Sequence, residues 1–546
     1  MSYTLAETAD TLYRNGRIYT VDGDFTIAQA FCVRDDRFLA VGTEEEMAVY
    51  CTPQTKTVDL QGMNVLPGLI DSHLHVIGTG EVQKRLYLML KTKDEILSMV
   101  QEAAQNSNPG EWIIGQGWDQ SKWAVPEFPS MEDLDSVSPN NPVYLRRACG
   151  HASWANSLAF EAAGVDANTE DPVGGEVLRR DNGDILGVVT DAAQSFFNSA
   201  IPPMNLEQLE ELSLLAQGEF FRNGLTSVHD MGADPVVIGV WEKLASEDKL
   251  QVRIYSTLRV PGRPTADEII ETMRTYFSQG IKIGLYNNRV TARAFKLSSD
   301  GSLGARSAWM LEEYSDRPGH CGNGKLTDEE LYTITREARK AGYQMVVHCI
   351  GDASNRQCID IYERVLSEMP GCDHRYRIEH AQIVEPSDIP RFAQLGIIPT
   401  FQSIHMATDR NFAEARIGDR MKGAYAWRTF IEAGSTILPN GTDSPVEPAP
   451  AFPCMYSAVS RKDLNGLPEN GWYAEEALTR EEALRSYTIW GAFAAFEEEL
   501  KGSIERGKLA DFIVIDRDFM SCPEDEIKDI TVLKTIVGGQ VVYEKP

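Results

Sequence analysis

One arrangement of hydrophobic and polar positions recurs along the chain: a segment with helical spacing ends in glycine, and a short apolar run follows at once. The arrangement occupies residues 218–230, 335–349, 390–402 and 428–443. Each glycine lies where the residue after a helix adopts a positive φ; these are Gly224, Gly342, Gly396 and Gly434. Thr327 and Glu330 add a T-x-x-E capping box to the helix before Gly342. The arrangement indicates alternating helices and strands of the βαβ type.

Strand-like runs are distributed over most of the chain, and helix-length segments separate most of them. Eight are predicted, at residues 64–75, 225–230, 251–260, 293–299, 344–349, 375–380, 396–402 and 435–443. Eight βα units are typical of a (β/α)8 TIM barrel. We therefore predict an α/β protein whose barrel domain covers residues 64–495.

The segment between the first two predicted strands is too long for one helix. It contains the tryptophan-rich stretch GEWIIGQGWDQSKW together with many turn residues. We predict that residues from about 80 to 205 form an inserted subdomain after strand 1, near the mouth of the barrel. This subdomain is a candidate substrate cap.

The two ends of the chain share a different pattern, in which apolar and polar residues alternate between turn signals. The pattern covers residues 1–63 and 496–546. Alternation with a period of two predicts antiparallel β-strands. We predict that both ends pair into one small β-sandwich beside the barrel.

Charge and cysteine content narrow the possible partners and compartments. Lysine and arginine number 52 against 81 acidic residues, and the formal charge of −29 argues against nucleic acid or an anionic membrane as a partner. The N-terminus lacks a signal-peptide pattern, no apolar run approaches membrane-spanning length, and the nine cysteines show no CxxC spacing. We expect a cytoplasmic protein that acts on a small molecule, with a homodimer as the expected oligomer.

Polar residues of a few types stand at the ends of the predicted barrel strands. His73 and His75 are two positions apart on the first strand, so their side chains point to the same face. The other strand-end residues are Lys296, His348, His380 and Asp443. Singly, each has an ordinary explanation, such as a hydrogen-bonded core histidine, a turn aspartate or a lysine that reaches solvent. Together they would converge on the rim where TIM barrels place active sites.

Metal binding explains this choice of residue types. Imidazole and carboxylate are ligands that suit Zn²⁺ and similar divalent ions. Lys296 stands between apolar Phe295 and Leu297, and a lysine close to metal and imidazoles loses its proton readily. A neutral lysine amine can add CO₂, and the resulting carbamate can bridge two metal ions. The strand ends therefore predict a metal centre of one or two divalent ions, with Lys296 carboxylated.

Several motifs resemble those of one known family. GLIDSHLH, VVHC, RIEH and GTDSPV, together with the strand-end lysine, are similar to the amidohydrolase superfamily. FKLSSDGSLGARSA, GQGWDQSKW, GHASWANSLAF and GKLADFIVID resemble its branch of N-substituted formamide deformylase-like metal-dependent hydrolases. The resemblance covers nearly the whole chain. It implies that His73 and His75 bind the more buried metal with Asp443, and that carboxylated Lys296 bridges to a second ion held by His348 and His380.

The resemblance also implies an activity. We expect a hydrolase of carbon–nitrogen bonds other than peptide bonds, acting on an amide or N-substituted formamide by attack of a metal-bound hydroxide. Asp443 and Lys296 are the expected catalytic residues, with Asp443 taking the proton of the water and delivering it to the leaving amine. A deaminase or an ester or lactone hydrolase could use the same site, and a non-catalytic scaffold is an alternative of another class.

Further residues are candidates for substrate contact. Asp300 and Arg306 flank the glycine-rich loop after the lysine strand, where loop hydrogen bonding is the ordinary explanation. The other candidates are Trp118, His151 and His405. For these the ordinary structural explanation stands first, because a single sequence does not place an inserted loop.

Overall fold

The computed structural model describes residues 7–147, 152–172, 175–198, 200–262, 264–371 and 373–546. The chain divides into two compact units. One contains the segment that ends at Thr79 together with Leu209–Pro546, and the other is Gly80–Gln208. Among the described residues, no helix is both long enough and apolar enough to cross a bilayer. The barrel boundaries predicted at residues 64 and 495, and the predicted role of the inserted segment as a cap, stay predictions.

A barrel of parallel strands forms the centre of the first unit, in agreement with the predicted fold class. Its strands are β1 (Leu69–Leu74), β2 (Leu225–Ala233), β3 (Arg253–Leu258), β4 (Val290–Ser298), β5 (Gln344–Cys349), β6 (Arg377–His380) and β7 (Ile398–Thr400). Each strand pairs in parallel with its neighbour in this order. The carboxyl ends of these strands therefore share one rim.

The eighth predicted strand, residues 435–443, does not form a regular strand. Only a single parallel bridge joins Asn440 to Phe401. The segment nevertheless closes the barrel, because Ser72 N–H donates to Asn440 O at 3.0 Å and Gly441 N–H donates to Phe401 O at 3.1 Å. Pro439 has no N–H to donate, which prevents a continuous ladder at this position. Gly441 is required sterically, since a Cβ there would lie 2.6 Å from the backbone nitrogen of His73.

Helices connect the barrel strands and cover them. The longer ones are Leu206–Arg222, Pro235–Ser246, Ala266–Ser278, Asp328–Lys340, Asp352–Glu368 and Ala451–Ser460. The shorter ones are Leu285–Asn288, Ile389–Leu395, Ser403–Asp409, Ala413–Ile417, Trp427–Glu432, Arg480–Ser486 and Ile489–Ala494. The short helix Glu44–Met47 lies outside the barrel, between the strands Arg37–Gly42 and Lys56–Asp59. All four glycines predicted to follow helices have a positive φ, which confirms that prediction. The capping box of Thr327 and Glu330 is also confirmed.

The chain ends form two further sheets, of which the second combines strands from both ends. One contains Thr11–Arg14, Ala30–Arg34, Arg37–Gly42 and Lys56–Asp59; the other contains Arg17–Tyr19, Ile27–Ala28, Asn64–Pro67, Phe512–Ile515, Val532–Val537 and Gln540–Glu544. In the second sheet, Asn64–Pro67 pairs antiparallel with Phe512–Ile515. Phe31 and Phe38 of the first sheet pack on Phe512 of the second. This shared core is the predicted β-sandwich built from both ends.

The second unit is a sheet with its own helices. Its strands are Leu86–Tyr87, Ile113–Trp118, Val143–Arg147, Ala152–Ala155, Gly175–Arg179 and Ile185–Asp191, and its helices are Lys93–Asn106, Met131–Asp135, Ser157–Ala162 and Ser195–Asn198. The helix Val76–Lys84 runs across the start of this unit. Trp118 and Trp154 are fully buried in its core. The unit therefore has a hydrophobic core separate from that of the barrel.

Candidate metal centre

His73 and His75 lie at the carboxyl end of β1 and face the same carboxylate. The Nε2 atom of His73 is 3.4 Å from Asp443 Oδ1, and the Nε2 atom of His75 is 3.3 Å from the same oxygen. His73 is buried, whereas His75 is about one-third exposed. The period-two spacing of a strand accounts for this common direction. The two imidazoles and the carboxylate thus lie close together at one end of the barrel.

Asp443 is held in place by the barrel closure itself. Its backbone N–H donates to His73 O at 2.7 Å, and its φ is +57°, in the left-handed region that aspartate tolerates better than most residues.

Burial by itself raises the pKa of the Asp443 carboxyl. Electrostatic attraction and a hydrogen bond from His73, with a further hydrogen bond from His75, outweigh burial and hold the pKa well below its ordinary value. Asp443 is therefore an ionised ligand candidate.

His348 at the end of β5 and His380 at the end of β6 lie next to each other, with ring centroids 4.5 Å apart. The Nδ1 atom of His380 is 2.6 Å from Gln402 Oε1, which leaves its Nε2 atom available. The Nε2 atom of His348 is 3.1 Å from Gly301 O, which leaves its Nδ1 atom available. His380 is also 4.8 Å from the ring of His73. The histidines from three strands thus converge on one region.

Lys296 points into the same region from β4, with only 6% of the residue exposed. Burial lowers the pKa of its ammonium group to about 8, although Glu379 and Asp443 oppose this effect. At neutral pH the neutral amine is consequently much more populated than in an exposed lysine. This state is the one that carboxylation requires.

A buried ion pair supports His73 from the interior of the barrel. Glu379 makes a short contact with His73 Nδ1, and Arg377 Nε donates to Glu379 Oε1 at 2.7 Å. Arg377 also donates to Ser72 O at 2.6 Å and lies 3.0 Å from His229 Nδ1. Burial by itself raises the pKa of Glu379, but Arg377 and His73 outweigh it and hold the carboxyl ionised. A carboxylate at Nδ1 orients the ring so that Nε2 can ligate a metal.

Sequence analysis did not identify Glu379 as a functional residue. The available signal was its position: it directly precedes His380 in a strand whose residues are all buried, and an unpaired glutamate is rarely buried. The glutamate and His73 are 306 positions apart, so their pairing was not visible in the sequence.

Replacing Glu379 by glutamine is expected to weaken metal binding about 10–100-fold, because the neutral amide is a poorer partner for His73 Nδ1–H. Chelator competition measures the affinity, and circular dichroism checks that the variant is folded. Glu385→Gln, in the loop after β6, is the matched control. Unchanged metal affinity in folded Glu379→Gln protein would show that the glutamate does not position the ligand.

Two of the predicted substrate residues lie in the loop after β4, and both have structural partners. Asp300 is fully buried and accepts the N–H groups of Ile350, Gly351 and Trp309 at 3.1, 2.8 and 3.0 Å. One of its oxygens is also 3.4 Å from His348 Nε2. Arg306 forms two hydrogen bonds with Asp316 at the surface. In this structure Asp300 ties its loop to the backbone after β5, beside His348, and Arg306 stabilises its own loop.

The remaining substrate candidates differ in their surroundings. Trp118 is fully buried, and its indole N–H donates to Leu145 O at 2.7 Å, so it does not line a pocket in this structure. His151 lies outside the described residues. His405 does reach the site, with Nε2 3.9 Å from Asp443 Oδ2.

The donor atoms fit a divalent metal ion. His73, His75 and Asp443 place one ligand atom each within 4.8 Å of one another, and so do His380, His405 and Asp443. Imidazole nitrogens and carboxylate oxygens are the donors that zinc takes in catalytic sites. Because the second nitrogens of His73 and His380 are already anchored, the rings are oriented for ligation before any metal binds.

Comparisons with known proteins identify the family of the chain. The sequence profile of the amidohydrolase family matches residues 56–543. The chain is 34% identical to Protein LONG AFTER FAR-RED 3 of Arabidopsis thaliana, over 98% of this chain and 92% of that protein. It is 28% identical to N-substituted formamide deformylase of Arthrobacter pascens, over 99% of both chains.

A solved structure has a fold similar to that of this chain. The crystal structure of a metal-dependent hydrolase from Pyrococcus furiosus matches with a TM-score of 0.77 and 26% identity, over 94% of this chain and 100% of that one. The family profile covers far more than half of the chain. The chain therefore belongs to the amidohydrolase family.

Proposed function

We propose that this hydrolase cleaves the carbon–nitrogen bond of a small amide or N-substituted formamide with the help of Zn²⁺. The observation that carries the proposal is the joint approach of His73 and His75 to Asp443, beside the buried Lys296. Catalytic zinc sites use such nitrogen and oxygen donors, and barrel enzymes place their active sites at this rim. The deformylase activity named for the Arthrobacter pascens relative supports the choice of bond.

The proposed ligands divide between two ions. His73, His75 and Asp443 would hold one ion, and His348 and His380 would hold the other. Lys296 would lie between them as a carbamate, formed when its neutral amine adds CO₂ and releases one proton. A lysine pKa of about 8 supports this reaction near neutral pH. When bound, the ions supply Lewis-acid activation of water and of the substrate carbonyl group.

Asp443 would carry the proton of the reaction. Hydrolysis consumes one water molecule and yields a carboxylic acid and an amine, so one proton must move from the water oxygen to the leaving nitrogen. An ionised carboxylate can accept that proton and then donate it to the nitrogen. The lowered pKa of Asp443 keeps this carboxyl ionised, as an acceptor must be at the start of the cycle.

A substrate panel tests the proposed bond. We expect metal-replete protein to release amine and acid from N-substituted formamides and small amides, at rates abolished by a chelator and restored by Zn²⁺. Release of ammonia from an amino-substituted ring would instead favour a deaminase, and cleavage of esters or lactones alone would favour that alternative. Protein that binds no stoichiometric metal would support a non-catalytic scaffold.

A further inference from the structure

Two neighbouring barrel strands, β2 and β3, contribute none of the candidate metal ligands. Those candidates come from β1, β4, β5, β6 and the segments after β7. Arg259 lies in this gap of the rim, directly after β3, and its backbone N–H donates to Ala233 O at the end of β2 at 3.0 Å. The gap in the ring of ligands therefore carries a positively charged residue.

The strand register directs Arg259 to the same face as Lys296. Leu258 and Phe295 are register partners in the parallel pairing of β3 with β4, and Phe295 packs on Phe277 of a covering helix. Both side chains therefore point away from the barrel axis. The next residues along the two strands are Arg259 and Lys296. Because successive side chains alternate, both of these point toward the axis.

An electrostatic effect agrees with this direction. Burial is the main cause of the lowered pKa of Lys296, and the positive charges of Arg377 and Arg259 lower it further. Such an effect weakens with distance, so the Arg259 charge lies close to the lysine. The guanidinium is consequently on the side of the rim where the candidate metal centre lies.

The end of β2 supports the aliphatic part of the Arg259 side chain. A Cβ on Gly232 would lie only 2.7 Å from Arg259 Cδ, and the φ of this glycine is +142°, which other residues rarely adopt. Asp230 fixes the backbone here, because its Oδ2 atom accepts Gly232 N–H at 3.1 Å and its Oδ1 atom accepts Val76 N–H at 2.9 Å. Glycine at position 232 thus allows the arginine to extend from β3 over β2.

The guanidinium of Arg259 has no partner. The residue is exposed, and its side chain forms no hydrogen bond or ion pair within the part of the chain that the structure describes. By contrast, Arg306 and Arg416 both pair with Asp316. The formal charge of −29 makes most of the protein unfavourable for an anion. An unpaired cation beside the candidate metal centre is a local exception.

We propose that Arg259 binds a carboxylate group of the substrate, at a point of the molecule other than the scissile amide. This inference rests on the proposed amide hydrolysis and narrows its substrates to acidic amides. A planar guanidinium can form two parallel hydrogen bonds with a carboxylate. The scissile carbonyl group stays available to the metal ions, because Arg259 extends over β2, where no candidate ligand lies.

The experiment compares formamides that differ only in the carboxylate. N-formylglycine, N-formyl-β-alanine and N-formyl-4-aminobutanoate carry it at increasing distance from the amide. N-methyl-, N-ethyl- and N-propylformamide are the matched neutral compounds. For each compound that metal-replete protein hydrolyses, kcat/KM is measured, and calorimetry measures the affinity for each compound that it does not hydrolyse.

At least one acidic formamide is expected to be preferred by the parent over its neutral match. Arg259→Gln should reduce kcat/KM or affinity for that compound about tenfold or more, since hydrogen bonds to charged groups are the stronger kind, and should leave the neutral match nearly unchanged. Arg259→Lys keeps the charge and should restore part of the loss. Arg34→Gln, at an exposed position of the strand Ala30–Arg34, is the matched control.

Salt dependence gives an independent measurement. Added sodium chloride screens the attraction between an exposed arginine and a carboxylate. The preference of the parent for the acidic compound should therefore fall as the ionic strength rises, whereas Arg259→Gln protein should show little change. Circular dichroism and metal content are measured on every variant.

The outcomes separate this inference from the proposed function. Hydrolysis of neutral formamides without any preference for acidic ones would keep the proposed function and overturn the carboxylate subsite. Equal losses for acidic and neutral compounds in folded Arg259→Gln protein, or loss of its metal, would also overturn the subsite. Binding of an acidic formamide that Arg259→Gln weakens, with no hydrolysis by the parent, would keep the subsite and overturn the proposed reaction.

Discussion

Lys296→Ala protein is expected to lose most of its bound metal and nearly all of its activity. Lys296 is buried at the end of β4, and it interacts electrostatically with Asp443 and with Glu379, the partner of His73. If its carbamate bridges two ions, removal of the side chain deletes a ligand shared by both of them. Alanine also leaves a cavity, which a small molecule can fill.

Short carboxylic acids should partly restore metal binding and activity to Lys296→Ala, because a carboxylate can take the place of the carbamate oxygens. Metal analysis and rates are measured with and without added formate, acetate and propionate. Lys422→Ala, at an exposed position, is the matched control and should retain metal and activity. A Lys296→Ala enzyme with full metal content and the parent rate would remove the bridge from the mechanism.

Asp443→Asn is expected to lower kcat by at least about 10²-fold with little change in KM. Asparagine keeps an oxygen that faces His73 and His75, and it tolerates the left-handed backbone conformation found at this position. It cannot accept a proton at neutral pH. The substitution thus separates proton transfer from metal ligation.

Steady-state kinetics of Asp443→Asn are measured together with metal content in the same sample. The pH–rate profile should lose its acidic limb, because that limb reports protonation of the coupled carboxylate unit as pH falls. Asp419→Asn, at the surface, is the matched control. Metal-replete Asp443→Asn enzyme within a few-fold of the parent rate would leave Asp443 as a ligand only.

Much of the fold was predictable because strands and helices have different hydrophobic periods. Seven of the eight predicted barrel strands are present, and the capping box before Gly342 forms as expected. The prediction that the eighth segment forms a regular strand was wrong, although its backbone carbonyl and N–H groups still close the barrel. The apolar composition of this segment predicts a strand, but hydropathy takes no account of the backbone N–H group that Pro439 lacks, and this missing donor interrupts the hydrogen bonding between strands.

The candidate site was predictable to the extent that it depends on strand ends. Parallel strands bring their carboxyl ends to one rim, so His73, His348 and His380 had to approach each other once the strand order was right. No comparable rule predicts the positions of the substrate-contact candidates. Trp118 is a core residue of the second unit and Arg306 pairs with Asp316, because contacts in loops and insertions depend on packing rather than on local pattern.

The sequence by itself determined the fold class, the residue types of the candidate metal centre and the end of the barrel at which these residues lie, since local periodicity and chain order carry that information. Only the tertiary structure decided which nitrogen of each histidine is anchored, through Glu379 for His73 and Gln402 for His380. Glu379 and His73 lie on different strands, whereas His380 lies on a strand and Gln402 on a loop. Their geometry depends on register, rotamer and burial, which exist only when the whole barrel has formed.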